Sequence, residues 1–337
     1  MKIVIPNPGG AAEEYEAFQG SEHEVVFGEF NRAPGTQPSD GEVIEMCQGA
    51  DCLISLRVSR QVIEALPQLT TIVGPAVGVE KIDIEAATEN DVLVVHSPSF
   101  ENVTGVSEAA IGLMLALSKR FKRKESRIRE GEWGQRLDRG FLMWGKTVGI
   151  IGLGRTGSGV AKRLAGWDMT LLGYDPYVPD ERFAELEVQR VDLADLFSQS
   201  DFVTVHVVIT PETTKMVGEE QLRLMKPSAY LINTSRGESV DEAAVVTALE
   251  GNWIAGAALD VFDPEPPDTG GPLFGVDPEK LLLFPHNVAA SNASRLGNLQ
   301  LAARNAVAVM GGNIPSEYVK NPAVLPRWRG AKSPGKE

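Results

Sequence analysis

The chain has 337 residues, 43% hydrophobic and 23% charged, an ordinary globular composition with length enough for two domains. With 32 basic against 46 acidic side chains its net charge is −14, which argues against a nucleic-acid surface or an anionic membrane as partner. Only Cys47 and Cys52 occur, with no Cys or His cluster at ligand spacing, so reduced thiols are expected and no metal site is. The opening Met1-Lys2-Ile3-Val4-Ile5-Pro6 is too short for a signal peptide and no apolar run reaches membrane length, so the expected setting is cytoplasmic.

Residues 1 to about 99 alternate short apolar runs with helical patterns. Lys2–Ile5, Cys52–Ser55, Thr71–Val73 and Val92–Val95 read as strands, and Ser59 caps a short helix that runs to Leu66 and stops at Pro67. Such alternation predicts a parallel sheet with helices on both faces. Gly74-Pro75-Ala76-Val77-Gly78-Val79 follows a strand directly, and its backbone N–H groups either meet an anion or merely turn the chain. From Glu101 to about Gly131 one long helix is expected, with Val106, Ala110, Leu113, Met114 and Leu117 on one face, a spine between domains or subunits. Its basic run Lys119-Arg120-Phe121-Lys122-Arg123-Lys124 reads as a solvated face.

Thr147-Val148-Gly149-Ile150-Ile151 is a β-branched strand that runs into Gly152-Leu153-Gly154-Arg155-Thr156-Gly157, after which helical spacing begins. A glycine-rich turn feeding a helix N-terminus offers unpaired N–H groups and the positive end of the helix dipole, which suits a pyrophosphate. Thr170–Tyr174 is a second strand closed by Asp175, placed to receive ribose hydroxyls, so the stretch predicts a dinucleotide site. Asp175 would repel a 2′-phosphate and the nearest following cation is Arg182, so NAD is expected over NADP. Just upstream, Gly140-Phe141-Leu142-Met143-Trp144-Gly145-Lys146-Thr147 fits the P-loop pattern by letter only. Four bulky side chains fill the loop, and Lys146-Thr147 open a strand instead of a helix.

Further strands are expected at Phe202–Val205, Tyr230–Ile232, Ile254–Leu259 and Leu281–Phe284, with Ser239-x-x-Glu242 as a capping box after Tyr230–Ile232. An Ala-rich helix from about Ala290 to Met310 follows, and the Gly, Pro and Lys-rich tail beyond it is expected without regular structure. The fold class read from this layout is α/β, two doubly wound parallel-sheet domains, the second carrying the dinucleotide. Ligands gather at the carboxyl ends of such strands, where Asn233-Thr234-Ser235-Arg236-Gly237, Asp260-Val261-Phe262-Asp263-Pro264-Glu265-Pro266 and Pro285-His286-Asn287 stand in succession. Hydride transfer needs a proton given or taken at the substrate oxygen. His286 suits that task with Glu265 as the carboxylate that stabilises its imidazolium, and Arg236 offers a fixed fork for a substrate carboxylate. Each has a duller role open to it: a structural histidine, an exposed loop glutamate, a helix-entry arginine. Their joint placement behind strands of one dinucleotide sheet favours the chemical one. His206, behind Phe202–Val205, is expected near the adenosine side, while His23 and His96 have no such context.

Val77-Gly78-Val79-Glu80-Lys81-Ile82-Asp83, Gly145 to Gly154, Asn233 to Gly237 and Pro285-His286, in that order, resemble the D-2-hydroxyacid dehydrogenases, the group that includes D-3-phosphoglycerate dehydrogenases and glyoxylate/hydroxypyruvate reductases. The resemblance implies a catalytic set Arg236, Glu265 and His286, and substrate carboxylate held by the backbone of Val77 and Gly78 and by Arg236. It implies Asp260 on the nicotinamide carboxamide, within a cofactor set of Gly152, Gly154, Arg155, Thr156, Gly157, Asp175, His206, Val207, Thr213, Thr234, Ser235 and Asp260. It further implies a Rossmann NAD domain over 100–290, a flavodoxin-like substrate domain over 1–99 completed by 291–337, and a homodimer formed through the nucleotide domains. The chain departs from the family at Ala109 after Ser107-Glu108, at Val208 and at Asn287. A small, unphosphorylated 2-oxo acid is expected as substrate, because Arg57 is the one plausible extra cation near the Val77 loop. The alternatives are a D-3-phosphoglycerate dehydrogenase-type activity, a formate or phosphite dehydrogenase, and an NAD-sensing co-repressor.

Overall fold

A computed structural model describes residues 1–29, 37–134 and 138–330. The chain divides into two compact units, Met1–Asn102 with Ala290–Glu337, and Val103–Ala289. The last seven residues of the expected tail, 331–337, lie outside the described residues.

In the first unit the strands are β1 (Lys2–Ile5), β2 (Glu24–Phe27), β3 (Cys52–Ile54), β4 (Thr71–Gly74) and β5 (Leu93–His96), joined through helices α1 (Asp40–Met46), α2 (Arg60–Glu64) and α3 (Ile84–Glu89). Among the described residues they form a five-stranded parallel sheet in the order β2-β1-β3-β4-β5. Period-two alternation sends Val4, Leu53, Ile72 and Val94 to one face and Ile3, Ile5, Cys52, Ile54, Val73, Leu93 and Val95 to the other, each into its own core. Cys47 and Cys52 are free and buried in those cores, and burial pushes the Cys47 thiol up to about 12.

The second unit opens in α4 (Phe100–Lys119), which α5 (Phe121–Arg129) follows. It continues through β6 (Thr147–Ile151), α6 (Arg155–Leu164), β7 (Thr170–Tyr174), α7 (Asp180–Glu185), β8 (Gln189–Arg190), α8 (Leu193–Gln199) and β9 (Phe202–Val205). Then come α9 (Glu219–Leu224), β10 (Tyr230–Asn233), α10 (Glu242–Glu250), β11 (Gly256–Leu259), α11 (Pro272–Gly275) and β12 (Leu281–Leu283). Its seven described strands pair in parallel in the order β12-β11-β10-β9-β6-β7-β8, so the direction of winding reverses between β6 and β9. That reversal opens a crevice at the carboxyl ends of β6 and β9, the place where doubly wound sheets bind ligands. Ile151, Val203, Leu231 and Ala257 face one core, while Val148, Ile150, Phe202, Ile232 and Ala258 face the other.

Several expectations are corrected here. The long helix from Glu101 is two helices, because Arg120 takes a left-handed φ of 56° and breaks the ladder. By length and composition alone α4 could span a bilayer, yet Ala110, Ile111, Leu113, Met114 and Leu117 are buried in the second unit's core. The basic run is not simply a solvated face: Lys119 Nζ donates to Phe141 O at 2.7 Å, Lys122 Nζ to Pro278 O at 2.7 Å, and Arg120 and Arg123 approach Asp138 at 3.7 and 3.6 Å. Ser239 and Glu242 form no capping box. Ser239 Oγ donates to Arg236 O at 2.7 Å, and Asp241 caps α10 by accepting from Ala243 and Ala244. Strands β2 and β8 join the two sheets beyond those expected.

The chain then returns to the first unit as α12 (Asn292–Met310), capped by Ser291, whose Leu299, Ala302, Ala303, Ala306 and Val309 complete the core behind β1 and β3 to β5. The segment after it is ordered through 330, against expectation. Val319 bridges Val95 antiparallel, Lys320 N donates to Val94 O at 2.9 Å, and Trp328 Nε1 donates to Thr70 O at 2.9 Å. The segment covers the outer edge of β5, whose backbone groups need partners. Buried Asn321 supplies two of them, its Oδ1 accepting from Val94 N at 2.8 Å and its Nδ2 donating to Val92 O at 2.9 Å. Asn321→Ala strands both groups, and urea unfolding of the variant is expected to show a loss of about 2 to 3 kcal/mol. A loss under about 0.5 kcal/mol would mean that the edge is held by other contacts.

Candidate active site

The turn after β6 is built on close backbone approach. Gly152 has φ 87°, and a Cβ on it would lie 2.5 Å from the carbonyl oxygen of His206, the residue after β9. His206 N in turn donates to Ile151 O at 2.8 Å, so the ends of β6 and β9 are tied where the winding reverses. Gly154 is the N-cap of α6 and a Cβ there would meet nothing within 4 Å, which leaves the helix N-terminus open on that side. Arg155 is exposed and Thr156 half-buried in the first turn, with Thr156 O accepting from buried Ser107 Oγ of α4 at 3.1 Å.

Asp175 follows β7. One of its carboxylate oxygens accepts from Leu153 N at 2.8 Å, inside the glycine turn, and the other from Tyr177 N at 2.9 Å. The carboxylate is therefore aimed by the very loop it serves. Arg190 of β8, a residue the motifs do not reveal, reaches Asp175 O and Val178 O at 3.3 Å each and so braces the loop between them. Arg182, the nearest following cation in the sequence, is held by Glu185 at 2.6 Å.

His206 Nε2 lies 2.9 Å from Thr204 Oγ1, and burial pushes the imidazole down to about 4. His206 Nδ1 and Thr234 Oγ1 are buried side-chain atoms with no hydrogen-bond partner among the described residues. Buried polar atoms are rarely left so, and two of them behind adjacent strands β9 and β10 fit a polar ligand that would satisfy them. Val207 packs half-buried against the core. Thr213 knits its own loop, donating to Val208 O at 2.6 Å and accepting from Thr210 N at 2.8 Å.

After β10, Asn233 organises the segment that carries Ser235 and Arg236. Its Oδ1 accepts from Ser235 N at 3.0 Å and Ser235 Oγ at 2.8 Å, while its Nδ2 donates to Arg236 O at 2.9 Å. Arg236 Nη1 donates to Ser235 O at 2.6 Å. Gly237 lies so close to Phe262 that a Cβ would overlap the Phe262 backbone, which packs this loop onto the one after β11. That second loop carries Glu265, whose Oε1 accepts from Phe262 N at 3.3 Å.

His286 follows β12 with a left-handed φ of 53°, a conformation costly for a side chain of its size. Its Nδ1 is 2.9 Å from both carboxylate oxygens of Glu265. Asp260, buried at the end of β11, accepts from Asn287 N at 2.9 Å and Val288 N at 3.2 Å and thereby fixes the residues on the far side of His286. Burial pushes the Asp260 carboxyl up, against the pull of those two N–H groups. The structure thus brings His286, Glu265, Asp260 and the Arg236 loop into one connected set. Sequence reading missed Glu242, which holds the Glu265 loop by accepting from Asp263 N at 2.8 Å. In the first unit, described by itself, Val77 is exposed in the loop after β4 and Gly78 is half-exposed beside it.

The glycine turn with its open helix N-terminus, the aimed Asp175 and the unpartnered atoms of His206 and Thr234 fit an NAD, and Gly152, Gly154, Asp175 and Thr234 are the residues that would hold it. Comparison with known proteins points to the same cofactor. Residues 111–288 match the family model "D-isomer specific 2-hydroxyacid dehydrogenase, NAD binding domain". A glyoxylate reductase of Korarchaeum cryptofilum is 38% identical over 297 residues, 86% of this chain and 89% of its own. A D-3-phosphoglycerate dehydrogenase of Methanocaldococcus jannaschii is 37% identical over 287 residues, 84% of this chain and only 54% of its own length, so the chain spans about half of that relative. Among solved structures, an NAD-dependent formate dehydrogenase of Staphylococcus aureus in complex with NAD superposes with a TM-score of 0.76 at 25% identity, over 93% of this chain and 96% of its own. The chain belongs to the D-isomer specific 2-hydroxyacid dehydrogenases, two-domain α/β oxidoreductases of the CH–OH group that use NAD.

Proposed function

We propose that the chain interconverts a small, unphosphorylated 2-oxo acid, such as glyoxylate or hydroxypyruvate, and its D-2-hydroxy acid, with His286 as acid/base, Glu265 as its orienting partner and Arg236 binding substrate. The observation that carries this reading is the approach of both Glu265 oxygens to His286 Nδ1 at 2.9 Å. A carboxylate at Nδ1 keeps a proton there, which leaves Nε2 as the atom that exchanges one with the substrate oxygen. NADH, when bound, supplies the hydride to the carbonyl carbon. Arg236 holds the substrate carboxylate with its fork and sets a positive charge beside the oxygen that gains electron density. The backbone N–H groups of Val77 and Gly78 take the same carboxylate, Asp175 takes the ribose hydroxyls, and Asp260 takes the nicotinamide carboxamide on lone pairs that Asn287 and Val288 leave over.

An unphosphorylated acid is favoured because a phosphate leaving water needs cations at close range. Arg60, the first residue of α2, already faces Glu64, Asp83, Glu85 and Glu89, and Val77 to Val79 offer only backbone and apolar side chains, which leaves exposed Arg57 as a lone extra cation where a phosphate dianion needs more. The first-named relative, a glyoxylate reductase, leans the same way. NADH oxidation against a panel of 2-oxo acids tests the proposal, with hydroxypyruvate expected to exceed its phosphate in kcat/KM. A phosphorylated acid preferred about tenfold or more, a gap of about 1.4 kcal/mol, would overturn it.

His286→Ala is expected to lower kcat by about 10²- to 10⁴-fold while NADH binding changes little. Reduction consumes the imidazolium proton, so its rate falls as pH rises. Glu265→Ala is expected to lower kcat as well, since nothing then holds the imidazole ring and its Nδ1 proton in place. His206→Gln is expected to leave the profile in place above pH 5, because burial already keeps His206 neutral down to about 4. An active His286→Ala enzyme, or a profile that follows His206, would sink the assignment.

Asp175→Ala is expected to narrow the preference for NADH over NADPH, read as the ratio of kcat/KM, because a 2′-phosphate then meets no carboxylate. An unchanged ratio would refute Asp175 as the residue that discriminates between them.

A further inference from the structure

His96 ends β5, beside Gly74 at the end of β4, and is buried, with 7% of the residue exposed. Its Nδ1 lies 2.7 Å from Val77 O, and since a carbonyl oxygen only accepts, Nδ1 holds the proton. One residue on, Ser97 N donates to Ala76 O at 3.0 Å. Two successive carbonyls of the loop are thus held by the end of the neighbouring strand. In a trans peptide the N–H points opposite to the C=O of the same plane. Holding Ala76 O therefore aims Val77 N–H, and holding Val77 O aims Gly78 N–H, both away from β5. Successive N–H groups aimed outward from a loop make an anion cradle.

The ring that does the holding is itself held. Buried Asn305 of α12 donates through Nδ2 to His96 O at 3.1 Å and to Ser97 Oγ at 3.2 Å. Tyr318 sets its ring edge-on to the imidazole, with centroids 6.0 Å apart and planes at 71°. A buried histidine on a turn carbonyl is commonly only structural. Here the peptide plane it fixes is the one whose N–H is read as a substrate contact.

From this we infer that His96 is a positioning residue for the 2-oxo acid: by donating Nδ1–H to Val77 O it fixes the peptide that presents Gly78 N–H to the substrate carboxylate. The inference rests on the proposed role of the Val77–Gly78 loop. It acts on binding and leaves the chemical step alone, so it moves KM for the oxo acid and neither kcat nor NADH affinity. His96→Leu removes the donor and is expected to raise KM about tenfold, with kcat within about threefold of wild type and NADH affinity unchanged. His96→Asn puts an amide Nδ2–H where Nδ1–H was and is expected to restore KM to within about threefold. Wild-type KM in His96→Leu, or equal KM in the Leu and Asn variants, overturns the inference. If His96→Leu does not fold, His96→Asp takes its place, isosteric with Asn but an acceptor only, and must raise KM where Asn does not. Gly78→Pro, which deletes the N–H itself, separates the two failures. An unchanged KM there refutes the loop reading, whereas a raised KM there with an unchanged KM in His96→Leu refutes His96 alone.

Discussion

The candidate site depends on one buried carboxylate. Asp260 accepts from Asn287 and Val288, the two residues after His286, and so determines where the chain goes once β12 has ended. His286 sits in a left-handed conformation that a free loop would leave, and two hydrogen bonds of about 1 kcal/mol each offset a strain of about the same size. With the backbone fixed there, the imidazole can meet Glu265, which the next loop holds through Phe262 and Glu242. The pair is assembled by residues behind it, and neither member could place the other alone.

A similar economy governs the nucleotide end. The glycine turn, His206 and Asp175 belong to three different strands, yet each is tied to another by backbone: Gly152 lies against His206 O, and Asp175 takes Leu153 N. Those contacts fix the turn, and the space beside Gly154 at the α6 N-terminus stays open. What remains unsatisfied there, His206 Nδ1 and Thr234 Oγ1, is polar and buried, which is what a site shaped for a polar cofactor leaves.

The alternation of apolar runs, the glycine turn and the three strand-end clusters were legible in the sequence, because each is local: a period of two, a turn that needs positive φ, a carboxylate or imidazole at a strand end. What escaped is what only tertiary contact decides. Strand β2, Glu24–Phe27, is an edge strand with half-exposed side chains, and β8 has two residues, so neither shows a period. Arg120 breaks a run whose composition is helical throughout, and nothing in its neighbours announces a left-handed residue. The pair Ser239 and Glu242 has the letters of a capping box, but Arg236 O and Asp263 N claim their side chains. Residues 311–330 look like a loose tail until the open edge of β5 is seen to need Asn321 and Lys320. His96 showed no context in the sequence for a like reason, since its partner Val77 lies in the loop after the neighbouring strand β4.

Two histidines behind parallel strands, His206 after β9 and His286 after β12, are alike in sequence context and opposite in environment. His206 has a threonine hydroxyl and no charge for company, and burial keeps it uncharged through the physiological range. A neutral imidazole there carries no charge that changes near neutral pH. His286 is half-exposed and its Nδ1 faces the Glu265 carboxylate at 2.9 Å. A proton donor needs access and a partner that holds its ring in place, and of the two it is His286 that is half-exposed and faces a carboxylate. The difference between the two environments therefore lies in burial and in one glutamate, not in the imidazole, and the strand order that sets β9 at the switch point and β12 at the sheet edge fixes which histidine receives which environment.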